Sequence, residues 1–318
     1  MYKWQELKNI QYVSDLNKYV EEGWATSLIN VAEAQQEKEL QHIAEMIAKR
    51  GTVRVVLIAG PSSSGKTTTC KRLSISLVTH NVWPVSISMD NYYCDREHTP
   101  RDENGDYDYE SLYALDLEMF QNNLSDLIAG KEVELPRYNF HTGASEKSGH
   151  KLTLEKNEVL VIEGIHALNP ELVSNIPPEQ VFRVFAAPMT ETPVSLTLSI
   201  PPAANRLLRR IIRDYKYRGT SAEDTIKRWP KVRAGEKKWI LPYRGNADAS
   251  FDTLMNFEPA VFREQAEPIL AAVPEGSPEY DTAQELLVLV RSFTPIPAKN
   301  VPFNSILREF LGGSSFEY

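Results

Sequence analysis

The chain is predicted to adopt an α/β fold in which helices flank a central parallel sheet, and three observations predict it. Short β-branched apolar runs alternate with helical patterns, the first run ends in a glycine- and serine-rich turn that opens a helix, and two later runs end in carboxylates. The chain has 318 residues, 42% hydrophobic and 25% charged, which is ordinary globular usage and enough to bury a sizeable core.

From Val13 to Arg50, Ile29, Val31, Ile43 and Ile47 lie among Glu, Gln and Lys at helical spacing, so residues 1–50 read as an N-terminal helical lead-in. Val53 to Ala59 is apolar and β-branched without alternation, the pattern of a strand buried on both faces. Further strands are expected at Pro84 to Met89, Val159 to Ile162, Val181 to Ala186 and Ala249 to Leu254. The rhythm breaks over 131–156. There Val133-Glu134-Leu135 and Lys151-Leu152-Thr153-Leu154 alternate around Gly143 and Gly149, which predicts a hairpin projecting from the sheet.

A basic helix is expected from Arg206 to Tyr217, stopped by Gly219, and a second from Ala222; the pair would form an arginine-bearing lid over 204–240. Beyond Glu258, helical segments punctuated by Pro274, Pro278, Pro295 and Pro297 form a C-terminal addition over 258–318, packed on a central domain spanning 51–257.

Charge and cysteine content exclude several classes. With 35 Lys plus Arg against 43 Asp plus Glu, the net charge of −8 argues against a general nucleic-acid surface. Cys70 and Cys94 have neither C-x-x-C spacing nor a histidine partner, so free thiols are expected rather than a disulfide framework or a zinc site. No apolar run approaches the roughly eighteen residues that span a bilayer. A cytoplasmic protein without membrane or nucleic-acid partners is expected, with a homo-oligomer left open.

Gly60-Pro61-Ser62-Ser63-Ser64-Gly65-Lys66-Thr67 fits the phosphate-loop pattern G-x-x-x-x-G-K-[ST], preceded by a strand and followed by a helix, as the chemistry requires. This makes the fold class a P-loop NTPase. Gly60 and Gly65 let the backbone curl so that amides around Ser62, Ser63, Ser64 and Thr68 face phosphate oxygens. Lys66 would reach the β and γ phosphates, and the Thr67 hydroxyl would ligate magnesium. ATP or GTP with Mg²⁺ is the implied ligand.

Phosphoryl transfer also needs a metal ligand and a base beside the attacking hydroxyl. Asp90 ends the strand Val85 to Met89 and Glu163 ends Val159 to Ile162. Ligands of open parallel sheets bind beyond the carboxyl ends of strands, so both acids should converge on the Gly60 loop. Asp90 suits the general base, with contact to magnesium, and Glu163 suits the magnesium shell. Arg206, Arg209, Arg210 and Arg213 recur at three- and four-residue spacing and would share one helix face, with Arg210 and Arg213 clamping the transferring phosphoryl.

Taken together, Gly60 to Thr69, Ser88-Met89-Asp90-Asn91-Tyr92-Tyr93, Val161-Ile162-Glu163-Gly164-Ile165 and Arg209-Arg210-Ile211-Ile212-Arg213-Asp214 resemble the uridine kinase and phosphoribulokinase family of P-loop kinases. The resemblance covers about Val53 to Phe257 and implies phosphoryl transfer to a hydroxyl of a small acceptor, with uridine or cytidine first. It further implies that Asp90 is the base, that Tyr93 and Asp108 face a ribose, and that Tyr138 and Phe140, with His141 nearby, pack on a nucleobase. Lys3-Trp4-Gln5 onward to Arg50, Arg228-Trp229-Pro230-Lys231-Val232-Arg233-Ala234-Gly235-Glu236 and Leu241-Pro242-Tyr243 resemble a bacterial uridine kinase-like nucleoside kinase subgroup.

Three positions depart from uridine kinases. Gly143 stands where a base-reading histidine is expected, Thr220 replaces an arginine, and Arg228 replaces a glutamine. The acceptor therefore stays open to another sugar or sugar phosphate, as for a phosphoribulokinase. A nucleotide-binding regulator without catalysis is a third reading, which intact Lys66, Thr67, Asp90 and Glu163 oppose.

Overall fold

A computed structural model describes residues 10–139 and 142–318. Helices α1 (Val13–Glu21) and α2 (Ala25–Arg50) lead into strand β1 (Val55–Ala59). The lead-in is thus two helices, not one unbroken pattern. The chain turns at Gly23, whose φ of +86° lies in the left-handed region that glycine enters without steric cost.

After β1 come α3 (Lys66–Thr79), β2 (Trp83–Ser88) and α4 (Leu117–Ile128), then the antiparallel hairpin β3 (Val133–Asn139) and β4 (Ala144–Leu152). Strands β5 (Glu158–Glu163) and β6 (Val181–Ala187) follow, then a small hairpin, β7 (Thr192–Pro193) and β8 (Ser199–Ile200). Helices α5 (Pro202–Arg218) and α6 (Ala222–Trp239) precede β9 (Ala249–Asp252), and α7 (Glu258–Ala271), α8 (Tyr280–Arg291) and α9 (Arg308–Leu311) close the chain.

The central sheet has the order β2-β5-β1-β6-β9, and every neighbouring pair is parallel. β1 is buried at all five positions, as its unbroken apolar run requires. Strand pleating divides it between two cores. Val56 and Ile58 face Ile43 of α2, Leu73 of α3, Ile211 of α5 and Phe262 of α7, whereas Val55, Leu57 and Ala59 face Phe120 and Leu124 of α4 and Tyr92. The N- and C-terminal helices therefore pack into the same core as one face of the sheet. None of the described helices is long and apolar enough to cross a membrane.

His166, three residues beyond β5, is 1% exposed, and burial lowers its pKa from 6.5 to about 4. The unfolded chain takes up this proton first as pH falls. Stability is therefore complete above pH 6.5 and is expected to drop by roughly 3 kcal/mol between there and pH 4. Urea unfolding across that window checks this, and His166→Gln should flatten the slope.

Candidate active site

The turn between β1 and α3 passes close to the tip of β6. A Cβ at Gly60 would stand 2.1 Å from the Ala186 carbonyl oxygen and 2.5 Å from Ser64 Oγ, so only glycine fits. Ser63 (φ +58°) and Gly65 (φ +85°) are left-handed, the geometry that turns successive amides toward one concave side. Helix α3 begins at Lys66 with no side-chain cap from Gly65, its N-cap residue, so its first amides add to the same anion-seeking end. The Ser63 and Ser64 hydroxyls are buried without a hydrogen-bond partner, as expected where a polyanion would complete the loop. Thr67, half-buried, occupies the second position of α3.

Two arginines of α5 hold this loop from behind. Arg206 donates to the Ser62 carbonyl (3.1 Å) and is gripped by both oxygens of Glu236 at 2.8 and 2.7 Å. Arg209 is fully buried; it donates to the Ser64 carbonyl (3.1 Å), the Thr253 carbonyl (2.7 Å) and Glu258 (2.7 and 2.5 Å). The four-arginine face expected from spacing is thus divided. Arg206 and Arg209 brace the loop, whereas Arg210 and Arg213 stay nearer the surface.

Arg210 donates to Ser62 Oγ (2.8 Å) and lies 3.3 Å from Asp214, to which Arg213 also donates at 2.8 Å. Burial lowers the Arg210 pKa most, and the Asp214 and Glu110 charges raise it.

Glu163 closes β5 in register with Ile58 of β1 and Ser88 of β2, which sets it at the carboxyl edge of the sheet. Its Oε1 accepts from Ser88 Oγ at 3.3 Å, and its Oε2 is 3.9 Å from Lys66 Nζ with no hydrogen-bond partner. Burial raises its pKa most, Lys66 opposes, and the charges of Asp90 and Glu309 add to the rise. Asp90 lies in the 3₁₀ turn Met89–Tyr92 directly after β2; it is exposed, and its backbone amide donates to Ser88 Oγ at 3.3 Å. One acid is therefore sequestered beside a lysine and the other open to solvent.

Among the described residues no group of three or more His, Cys, Asp or Glu gathers to hold a metal alone. Magnesium bound with phosphates needs no such cage, since one or two carboxylates, waters and phosphate oxygens complete its shell.

Of the other expected acceptor contacts, Tyr93 feels the Asp90 charge. Tyr93 and Tyr138 have ring centroids 5.5 Å apart, and the Tyr93 hydroxyl donates to the Tyr109 carbonyl at 3.3 Å. Burial, then the charges of Asp90 and Glu110, push the Tyr93 phenol well above its usual range, so it remains a hydrogen-bond donor. Tyr138 is 5% exposed. Asp108 accepts from the Glu110 amide at 3.2 Å, which fixes the turn carrying both acids. Phe140 and His141 lie outside the described residues.

At Gly143, Arg96 fills the space a side chain would need: a Cβ there would be 2.6 Å from its Nε. Thr220 is half-buried and Arg228 exposed.

Two residues escaped the motif reading. Glu110 carries a carboxyl pKa raised by burial and lowered by Arg210 and Lys66, so it shares the electrostatic field of the loop. It sits in the turn after Tyr107-Asp108-Tyr109, and no helical or strand period in the sequence points to it. Glu309 accepts from the Thr68 amide and hydroxyl across 241 residues of chain, and no local pattern announces it.

Residues 55–258 match the Phosphoribulokinase / Uridine kinase family. The uridine kinase of Staphylococcus aureus (strain JH9) is 30% identical over 195 residues, which are 61% of this chain and 84% of that protein. Among solved structures, a possible uridine kinase from Bacillus stearothermophilus is 21% identical, covering 67% of this chain and 100% of that one at a TM-score of 0.42. The D-glycerate 3-kinase of Cryptococcus neoformans is 13% identical, covering 85% and 89% at a TM-score of 0.31. With a family match over 55–258 and a relative aligned over 84% of its length, the chain belongs to the phosphoribulokinase and uridine kinase family.

Proposed function

We propose that the chain transfers the terminal phosphoryl group of ATP or GTP, with Mg²⁺, to a hydroxyl of a small acceptor, the 5′-hydroxyl of uridine or cytidine first. The observation that carries this reading is the arrangement at the sheet edge. A sequestered Glu163 lies 3.9 Å from Lys66 at the mouth of a glycine-formed loop, with exposed Asp90 one strand away.

The amides of Ser62 to Thr68 would hold the phosphate chain, and Lys66 would offset charge on its outer groups. Thr67 and Glu163 would hold magnesium, with Asp90 touching it only through water; when bound, the ion supplies charge neutralisation at the phosphate oxygens. Asp90 accepts the proton of the acceptor hydroxyl as that oxygen bonds to phosphorus and the nucleoside diphosphate leaves. Arg210 and Arg213 stabilise charge on the group in flight. Tyr93, Asp108 and Tyr138, together with Phe140 and His141, would seat the acceptor. We assign catalysis to 51–257 and read 1–50 and 258–318 as additions that share its core.

One observation favours a second acceptor class. Arg96 fills the space where uridine kinases place a base-reading histidine, and its charge bears on the Tyr138 phenol. A guanidinium there suits an acceptor that already carries an anion, such as a sugar phosphate.

ADP release across a panel of nucleosides, sugars and sugar phosphates separates the readings. Turnover with uridine or cytidine supports the first and turnover with a sugar phosphate alone the second. ADP release with no acceptor in the panel would overturn both.

A further inference from the structure

Helix α3 is capped by a residue from the far end of the chain. Glu309 Oε2 accepts from the Thr68 hydroxyl at 2.6 Å and from the Thr68 amide at 3.3 Å, and the Tyr318 hydroxyl lies 2.9 Å from the same Thr68 oxygen. Thr68 is fully buried beneath this contact.

The segment that delivers Glu309 is firmly seated. Arg308 donates to the Val301 carbonyl (2.6 Å), the Ala298 carbonyl (3.0 Å) and the Gly312 carbonyl (3.2 Å). Phe310 packs edge-on against Phe262 at 6.3 Å, and Lys216 donates to the Leu311 carbonyl. Ile306 lies against Gly65 of the phosphate loop, its Cδ1 2.6 Å from where a Cβ would stand.

The amide of Thr68 is in the first turn of α3, where backbone donors have no partner within the helix and attract anions. In a phosphate loop that donor belongs to the nucleotide, and here a carboxylate holds it. Two anions cannot share one amide and one hydroxyl without strong repulsion, so nucleotide and Glu309 exclude one another there. The charge of Glu309 is also felt at Glu163, which places it within the field of the site itself.

We propose that Glu309 is a built-in competitor for the nucleotide: its carboxylate occupies a phosphate-binding position at Thr68, and ATP binding displaces that carboxylate and releases the tail 313–318, whose Tyr318 hydroxyl shares the contact, while the core-packed residues 305–311 stay in place. This rests on the kinase reading above. The bland alternative is a helix cap borrowed from a distant residue, which would stabilise α3 and leave nucleotide affinity unchanged.

Calorimetric titration of the full chain with Mg·ATP, and separately with inorganic tripolyphosphate, tests it in wild type, Glu309→Ala and Glu309→Gln. Glu309→Ala is expected to tighten both ligands by about tenfold, because the competent fraction of the free protein rises. Glu309→Gln, which keeps an acceptor for the Thr68 donors and hence the fold, should tighten them less. Hydrogen exchange at the amides of 313–318 should speed up in wild type when Mg·ATP is saturating, with 305–311 unchanged.

Equal affinities in all three proteins would leave Glu309 a cap and overturn the proposal. Weaker binding in Glu309→Ala, with slower exchange over 313–318 on Mg·ATP addition, would make the tail part of the nucleotide site and overturn it too. Absence of binding in all three would overturn the kinase reading, and this inference with it.

Discussion

Asp90→Asn is expected to slow phosphoryl transfer by about 10²- to 10⁴-fold, the range for loss of a general base, while Mg·ATP affinity stays within about twofold. Asparagine keeps the size of the side chain and does not disturb the Asp90 amide, which donates to Ser88 Oγ at 3.3 Å, so the turn after β2 should hold its shape. It cannot take up the acceptor proton. Because Asp90 is exposed and its charge bears on the Tyr93 phenol, its loss should appear in kcat rather than in nucleotide binding. Stopped-flow measurement of a single turnover, with nucleotide affinity measured separately, distinguishes the two. Unchanged turnover would move the base role elsewhere, and Glu110, in the field of Lys66 and Arg210, is the next carboxylate to replace.

Arg209→Ala is expected to cost about 3–5 kcal/mol of stability, because it leaves the buried Glu258 carboxylate without its partner in the interior. Glu258 is 1% exposed and takes two of the Arg209 donors. The Ser64 and Thr253 carbonyls lose donors as well, so the phosphate loop loses its brace from behind. Lysine should not rescue it, since one ammonium cannot reproduce a planar fork that spans a carboxylate and two carbonyls. Urea unfolding at neutral pH measures the loss. A change below about 1 kcal/mol, the size of a surface pair, would show that water reaches Glu258 and that the brace is not buried in solution.

Much of the fold could be read directly. An apolar run with no alternation can only be satisfied on both faces, and β1 is buried at all five positions. Glu163, which ends β5, comes within 3.9 Å of Lys66, and Asp90 follows β2 at the same edge, because parallel strands in register present their carboxyl ends at one edge, which topology alone dictates. Helical spacing placed Arg206, Arg209, Arg210 and Arg213 on one side of α5 but could not say what that side faces. The partners of the inner two, Glu236 and Glu258, lie 30 and 49 residues further along, and they decide which arginines brace and which remain near the surface. Periodicity also ran through Gly23, where the chain changes direction and keeps its amphipathic character on both sides. Glu309 is the extreme case, a contact that exists only after α7, α8 and α9 have packed against the sheet core.

The most direct test of the central claim is phosphorus NMR of the wild-type chain with Mg·ATP and a nucleoside. The account predicts loss of the γ-phosphate signal, growth of ADP, and a new phosphate monoester on the acceptor, all abolished when magnesium is chelated. ATP left intact in the presence of every acceptor tried, or consumed without formation of an ester, would contradict it.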